Sequence, residues 1–298
     1  MRDLRISVTD RCNYRCLYCM PLDKYQWMDR RDILTFEEIE RLAAIFIGLG
    51  VEKIRLTGGE PLLRAGLAGL VAKLAAMDGL EDLCLTTNGS LLAEQAQALK
   101  SAGLMRINVS LDTLDPDKFK RLTKRGELAP VLEGLFKARA LGFSPIKINA
   151  VIERGVNDDE IVPLVEFGRS NGFAIRFIEY MDVGNANHWR SANIVSKQEI
   201  IAAINAAFPL VRSTRDRGSA PSVDYSFADG IGDVGVIASV TEPFCGGCNR
   251  ARLTADGKLV TCLFSSSGFD LKELTRNGAT DQQLISEITR VWNGRTDR

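Results

Sequence analysis

The sequence predicts an α/β fold, an incomplete (βα)6 TIM-like barrel with a C-terminal layer packed on it. Between residues 4 and 179, short β-branched runs alternate with amphipathic, helix-like stretches. Strands that alternate with helices in this way form right-handed βαβ units and a parallel sheet. The predicted strands cover residues 4–8, 51–57, 82–87, 105–111, 146–152 and 174–179, and the predicted helices cover 35–49, 64–77, 90–102, 128–141 and 158–171.

Local signals mark the ends of these helices and the place of the site. Thr35 and Glu38 have the spacing of a capping box, and a glycine follows four of the helices, as left-handed C-terminal residues do. In barrels and open parallel sheets, the active site lies at the carboxyl ends of the strands. The polar, Gly-rich runs at 57–61 and 86–89 follow the second and third strands, so we expect them in the site.

The alternation stops after Met181, and we divide the chain there. Residues 1–182 form the predicted partial barrel, and residues 183–298 form a C-terminal region packed on it. In this region the pattern predicts a loop over 212–222, strands at 223–227 and 234–240, and helices at 270–276 and 281–292.

The composition excludes some classes of partner. Lys plus Arg and Asp plus Glu number 38 each, so the formal net charge is zero and nothing indicates a nucleic acid or an acidic membrane surface. No apolar run reaches the roughly 20 residues that a membrane span needs, and the first residues lack the layout of a signal peptide. We therefore expect a cytoplasmic protein.

Three of the seven cysteines, Cys12, Cys16 and Cys19, have the spacing C-x3-C-x2-C in a loop after the first predicted strand. Three thiolates can bind three irons of a [4Fe-4S] cluster and leave the fourth iron open to a small molecule. The alternative is a zinc site. Structural zinc takes four ligands, however, and the one histidine, His188, lies far away in sequence.

A second group, Cys245, Cys248 and Cys262, has the spacing C-x2-C-x13-C. It predicts a second [4Fe-4S] cluster with one open iron at a substrate site, and a Cys3His zinc site with His188 is the alternative. Arg250 and Arg252 lie between these cysteines. Guanidinium groups bind phosphate oxygens in bidentate geometry, so an anionic ligand is indicated nearby.

Three further basic residues, Arg5, Arg55 and Lys147, lie on predicted strands. Each could be a solvent-facing residue of a strand with one wet face. Together with the two arginines of the second cysteine group, they indicate an anionic ligand inside the barrel.

The cysteine loop and the run Gly58-Gly59-Glu60-Pro61 after the second strand resemble those of the radical S-adenosylmethionine (SAM) superfamily. The resemblance implies that the open iron binds the methionine group of SAM. One electron from the cluster then cleaves SAM to a 5′-deoxyadenosyl radical, while the protein orients the reactants.

Within this superfamily, nearly the whole chain resembles the GTP 3′,8-cyclases of molybdenum cofactor biosynthesis. The matching runs lie at residues 3–12, 55–61, 86–89, 107–112, 175–179, 181–184 and 245–262. The resemblance implies conversion of GTP to (8S)-3′,8-cyclo-7,8-dihydroguanosine 5′-triphosphate, the first step towards molybdopterin. The radical would remove hydrogen from ribose C3′, and the resulting carbon radical would add to guanine C8.

The resemblance implies roles for matching residues and no catalytic side chain beyond the cluster ligands. The ligands of the two clusters would be Cys12, Cys16 and Cys19, and Cys245, Cys248 and Cys262. The residues that would contact SAM are Tyr18, Gly59, Ser110 and Met181. The residues that would hold GTP are Arg5, Arg55, Thr86, Lys147, Arg250, Ala251 and Arg252.

The resemblance also implies an electron donor and a downstream partner, cyclic pyranopterin monophosphate synthase, while a homodimer is left open. Relatives usually end in a Gly-Gly tail that reaches the active site, so we expect weak or absent cyclisation by these 298 residues unless that tail is added.

Two other functions stay open. One is a radical SAM enzyme with an auxiliary cluster that acts on a peptide or another small substrate. The other is a non-catalytic iron–sulfur or zinc protein that transfers electrons or serves as a scaffold.

Outside the predicted site, we interpret Cys84 as a buried thiol and His188 as a surface residue, and Asp10 and Asp112 could cap loops or bind substrate.

Overall fold

The computed structural model describes residues 1–20, 22, 25–181, 189–214, 218–265 and 267–296. The predicted boundary between residues 182 and 183 lies outside these ranges, and so does His188. Both predictions about them therefore stay predictions.

Six parallel strands form the centre of the sheet and confirm the predicted barrel order. They are β1 (Asp3–Ser7), β2 (Lys53–Thr57), β3 (Asp82–Thr87), β4 (Arg106–Ser110), β5 (Ile146–Ile152) and β6 (Ala174–Glu179). Each strand pairs in parallel with the next along the chain. β2 begins two residues later than predicted, at Lys53.

The strands alternate between an apolar face and a face that turns to the barrel interior. In β5, Ile146 and Ile148 are buried in the hydrophobic core, whereas Lys147 and Asn149 line an interior cavity. Because side chains of a strand point to opposite faces in turn, the helices cover the apolar set and the polar set faces inward.

Helices follow these strands and pack on their outer face. They are α1 (Phe36–Gly48), α2 (Leu67–Ala75), α3 (Leu92–Ser101), α4 (Pro116–Thr123), α5 (Leu128–Ala140) and α6 (Ile161–Asn171). The predicted capping box is present, since the Thr35 hydroxyl accepts from Glu38 N and the Glu38 carboxylate accepts from Thr35 N. Helix α4 was not predicted, although Asp115 accepts from Lys118 N at 2.8 Å and Pro116 is a good first residue.

The C-terminal region adds α7 (Lys197–Ala207), β7 (Leu210–Arg212), β8 (Val223–Phe227), β9 (Asp233–Ile237), β10 (Arg250–Leu253), β11 (Lys258–Val260), β12 (Phe269–Asp270), α8 (Leu271–Arg276) and α9 (Asp281–Asn293). Helix α7 was not predicted, although it carries a capping box formed by Ser196 and Glu199. The predicted loop at 212–222 begins inside β7, because Arg212 still pairs with Tyr225 of β8.

This region extends the sheet at both edges. β10 pairs in parallel with β1, and β9 pairs in parallel with β6. Within the described residues, the sheet therefore has the order β12-β11-β10-β1-β2-β3-β4-β5-β6-β9-β8-β7. Adding strands to the edges covers hydrogen-bonding groups that would otherwise be exposed. One hydrophobic core joins both regions, since Leu253 and Leu284 belong to the same buried cluster as Leu4.

Candidate functional site

The first cysteine loop follows β1 and closes a turn between its second and third cysteines. The backbone N–H groups of Cys19 and Met20 donate to Cys16 O at 3.0 and 2.9 Å. Burial raises the pKa of the Cys16 thiol well above its ordinary value, and the nearby charges of Asp112, Cys19 and Cys12 raise it further. Burial likewise raises the pKa of Cys19 to about 11, with Cys12 as the second cause. The three thiols therefore lie close to one another.

This clustering fits an iron–sulfur cluster. In the described part of the chain, no three Cys, His, Asp or Glu side chains converge closely enough to hold a single metal ion. A four-iron cluster binds each thiolate to a different iron, so its ligands need not converge on one point. The thiols are free and sit in a loop that brings them together without a disulfide, which is the donor set such a cluster needs.

The Gly-Gly-Glu-Pro run passes directly against the cysteine loop. Gly59 N donates to Thr9 O at 2.8 Å, and Glu60 N donates to Arg11 O at 2.7 Å. A Cβ atom on Gly59 would lie 2.2 Å from Arg11 O, which no packed atom can do. Residue 59 must therefore be glycine because the two backbones touch.

Glu60 joins the cysteine loop to the turn after β3. Its buried carboxylate, in a residue that is 1% exposed, accepts from the Thr87 hydroxyl and from Asn88 N, both at 2.7 Å, and from Leu62 N at 3.0 Å. Asn88 in turn donates through Nδ2 to Asn13 Oδ1 at 2.8 Å. Burial raises the pKa of Glu60, and the three donors oppose this shift. The loops after β1, β2 and β3 are thus held as one unit.

The four residues predicted to contact SAM lie at the same end of the barrel. Tyr18 belongs to the cysteine loop, Gly59 touches that loop, Ser110 ends β4, and Met181 follows β6. The Tyr18 hydroxyl donates to Asp112 at 2.8 Å, which also accepts from Val151 N at 2.8 Å. Burial raises the pKa of Asp112 to about 6. The Asp112 carboxylate thus anchors Tyr18 and ties the end of β4 to β5.

A cavity of about 1120 Å³ occupies the barrel interior. It runs from Asp3 and Lys53, at the amino ends of β1 and β2, to Thr57 and Asn149 towards the carboxyl ends. All the side chains predicted to hold GTP line it except Ala251. Ala251 is fully buried in the hydrophobic core on the other face of β10, so only its backbone faces the ligand side.

Strand register sets the cations of this cavity side by side. Arg5 is level with Arg252 on one neighbouring strand and with Arg55 on the other. Burial lowers the pKa of Arg5 well below its ordinary value, and the charges of Arg55 and Arg252 lower it further. Burial lowers the pKa of Lys147 to about 8, with Arg176 as the next cause. Mutually repelling, desolvated cations are costly unless an anion neutralises them.

Hydrogen-bond donors in the cavity are also unsatisfied. Arg5 Nε, Arg55 Nε and Thr86 Oγ1 are buried and have no hydrogen-bond partner among the described residues. Buried polar atoms are nearly always paired in native proteins, so unpaired donors at a cavity wall indicate a missing ligand. The cavity therefore fits a polyanion with several acceptor oxygens.

The second cysteine group lies at the opposite end of the barrel from the first. Cys248 precedes Arg250, which is level with Asp3 at the start of β1, and Cys262 follows Val260 on the antiparallel β11. Burial and then the charge of Arg250 lower the pKa of Arg252, and Cys248 and Cys262 are near enough to oppose this. Cys245 joins them through a turn in which Cys248 N donates to Cys245 O at 3.0 Å. The three free thiols fit a second cluster next to the cationic wall.

Five basic residues that line the cavity were not predicted from the sequence, namely Arg2, Lys53, Arg106, Arg176 and Arg212. Arg176 on β6 lines the cavity, and burial lowers its pKa. Arg106 on β4 also lines it but is paired with Asp82. Arg106 and Arg176 lie on strands, as Lys147 does. A basic residue in a predicted strand was therefore the signal that could have identified them. Cys84 lines the cavity as well, and burial raises the pKa of its thiol, which agrees with its interpretation as a buried thiol.

Comparison with known proteins agrees with this architecture. A family model described as Radical SAM superfamily matches residues 6–168, and one described as Molybdenum Cofactor Synthesis C matches residues 173–298. A GTP 3′,8-cyclase from Acidothermus cellulolyticus is 52% identical over all of this chain and 85% of its own length. One from Xanthomonas axonopodis pv. citri is 48% identical, over all of this chain and 90% of its own length. The chain belongs to the GTP 3′,8-cyclase family of radical SAM enzymes.

Solved structures share the fold at low identity. Streptococcus suis SuiB bound to precursor peptide SuiA has a TM-score of 0.69 at 15% identity, over 97% of this chain and 64% of that one. Native anSMEcpe with bound AdoMet has a TM-score of 0.61 at 16% identity, over 96% and 82%. In the described residues, no helix is long and apolar enough to span a membrane.

Proposed function

We propose that this protein is a radical SAM enzyme that converts GTP to (8S)-3′,8-cyclo-7,8-dihydroguanosine 5′-triphosphate, the first step of molybdenum cofactor biosynthesis. One observation carries the proposal. A cavity walled by repelling cations with unpaired donors lies inside the barrel, with one cysteine triad beyond each end of the strands. Such a cavity accepts a nucleoside triphosphate and brings it between two cluster sites.

The first triad and the loops packed on it form the SAM side. Cys12, Cys16 and Cys19 would hold a [4Fe-4S] cluster that, when bound, supplies the electron that cleaves SAM into a hydrogen-abstracting radical. The residues that we propose to contact SAM are Tyr18, Gly59, Ser110 and Met181. Glu60 holds the turn after β3 through Asn88, and Asp112 holds Tyr18, so these two carboxylates fix part of this end of the barrel. A preorganised pocket of this kind orients the two reactants before reaction.

The cationic wall forms the GTP side. Arg5, Arg55 and Lys147 would bind the triphosphate, and the Thr86 hydroxyl would donate to it. The second triad, Cys245, Cys248 and Cys262, would hold an auxiliary cluster next to the segment from Arg250 to Arg252, where the base would bind. A substrate bound inside the barrel displaces water from the cavity, and this would protect a reactive radical from side reactions.

Several partners belong to this proposal. A one-electron donor would reduce the first cluster, and cyclic pyranopterin monophosphate synthase would take the product. We propose that the protein works in the cytoplasm, and a homodimer is compatible with this activity.

The test combines cluster content, SAM cleavage and GTP binding. The chain is reconstituted anaerobically, and we expect about eight irons per chain because each cluster holds four. Incubation with dithionite, SAM and GTP should give 5′-deoxyadenosine and a cyclised nucleotide. Arg55→Met should weaken GTP binding at least tenfold, while Arg139→Met, an exposed arginine of α5, should not change it.

The outcomes separate the alternatives. Absence of 5′-deoxyadenosine from the iron-loaded chain would overturn the radical mechanism and leave an electron-transfer or scaffold protein. 5′-Deoxyadenosine formation without GTP binding would overturn the substrate and favour a peptide or another small molecule. About four irons per chain would refute the second cluster.

A further inference from the structure

Arg15 lies buried inside the first cysteine loop, between two of the cluster ligands. Only 4% of the residue is exposed. Its Nη1 donates to Cys12 O at 2.8 Å and to Tyr14 O at 2.7 Å. These two carbonyls are on either side of the bend that carries Cys12 towards Cys16, so the guanidinium holds the loop in its folded form from within.

Two aromatic rings cover the same guanidinium. Its carbon lies 5.3 Å from the centre of the Tyr25 ring and 5.0 Å from that of Trp27, and the two rings stack on each other at 5.5 Å. Stacking of a planar guanidinium on aromatic faces is a favourable cation–π contact that an ammonium group reproduces poorly. Arg15 thus joins the cysteine loop to the segment that follows it.

The backbone of this loop is also fixed to the end of α4. Arg15 N donates to Thr123 O at 2.9 Å and Leu17 N donates to Leu122 O at 3.1 Å. The Tyr14 ring packs edge-on against Phe119 with the centroids 5.9 Å apart. The Arg15 side chain therefore has one defined position relative to Cys12, and its charge cannot swing into solvent.

Within the part of the chain that the structure describes, the charge of Arg15 is not paired with an acidic side chain. Its buried Nε has no hydrogen-bond partner among those residues. A buried guanidinium without an anion is costly. The guanidinium donates to the backbone oxygen of Cys12 at 2.8 Å, so this cation is fixed next to a cluster ligand.

We propose that Arg15 is the positioning residue of the first cluster and that its buried charge raises the cluster's reduction potential. The inference rests on the first cluster of the proposed function. Three thiolates give a [4Fe-4S] site a net negative charge. The site becomes more negative by one unit when an electron enters. A fixed cation next to a ligand stabilises the reduced form more than the oxidised form, and net charge and burial are known determinants of such potentials.

The test measures the potential of the first cluster in the full chain carrying both clusters, without GTP. The first cluster is recognised by the change of its electron paramagnetic resonance signal on addition of SAM. We expect Arg15→Met to shift the equilibrium towards the oxidised form at least tenfold, about 59 mV lower for one electron. Arg11→Met is the matched control, because Arg11 precedes Cys12 but is exposed. The reduction potential of the first cluster in this variant should equal that of the unchanged chain.

Arg15→Met with full iron and an unchanged potential would overturn the proposal. If Arg15→Met does not hold iron, Arg15→Lys tests the role of the charge instead. Lysine keeps the positive charge but lacks the planar guanidinium that stacks on the aromatic rings. A loaded Arg15→Lys cluster with the potential of the unchanged chain supports the proposal. A lowered potential in Arg15→Lys would refute the role of the charge, whereas loss of the cluster in both variants would support the positioning role. Loss of cyclisation with normal potentials would count against the proposed substrate alone.

Discussion

Gly59→Ala tests the contact between the Gly-Gly-Glu-Pro run and the cysteine loop. The added methyl group would lie 2.2 Å from Arg11 O, 2.5 Å from Arg11 C and 2.6 Å from Asp10 O. All three are backbone atoms, so no side chain can rotate away. Relief requires the two loops to separate, and that movement breaks the bonds from Gly59 N to Thr9 O and from Glu60 N to Arg11 O.

The expected cost follows from these contacts. Overpacking a tight site and losing two backbone hydrogen bonds together cost about 2–5 kcal/mol in the free energy of unfolding. Urea unfolding of the iron-free chain, followed by circular dichroism, measures this cost without any cluster chemistry. Because the displaced loop carries Cys12, we also expect the reconstituted variant to hold fewer irons than the unchanged chain.

Gly69→Ala is the control for this substitution. Gly69 lies inside α2, and a Cβ there would meet nothing within 4 Å. The same chemical change should therefore stabilise the protein by about 0.5–1 kcal/mol through the helical preference of alanine. A Gly59→Ala variant with unchanged unfolding free energy and full iron content would show that the two loops are not in contact, and the reasoning would fail.

Three further predictions concern charge and hydrogen bonding. Burial and Arg176 lower the pKa of Lys147 to about 8, and a bound triphosphate favours the charged amine, so GTP affinity should begin to fall as the pH rises through about 8. Equilibrium GTP binding without SAM measures this fall, and Lys147→Arg should abolish it because arginine stays charged. Glu60→Gln places an amide group against three hydrogen-bond donors. We expect the free energy of unfolding in urea to fall by about 1–3 kcal/mol. An unchanged free energy of unfolding would contradict the three contacts. Thr280→Ala removes the cap of α9 and should cost about 1 kcal/mol by the same assay; an unchanged midpoint would mean the cap is not formed.

The barrel order was predictable because its signals are local. A strand, a turn and an amphipathic helix each depend on near neighbours in sequence, and β5 and β6 occur with the predicted bounds. The missed helices α4 and α7 also had local signals, namely Asp115 before Pro116 and Ser196 before Glu199, but short amphipathic segments between polar residues resemble loops. The parallel pairing of β10 with β1 joins residues some 250 positions apart, which no local pattern encodes.

The sequence by itself determined the chemistry at the carboxyl ends of the strands. The three cysteines lie within eight residues and the Gly-Gly-Glu-Pro run is continuous, so both motifs could be recognised from neighbouring residues alone. Only the tertiary structure decided what the cations do. A basic residue in a strand faces either solvent or the interior, and the choice depends on which face the helices cover. The curved sheet turned Arg5, Arg55, Lys147 and Arg176 to one cavity, and it set the second cysteine triad beyond the opposite end of that cavity from the first.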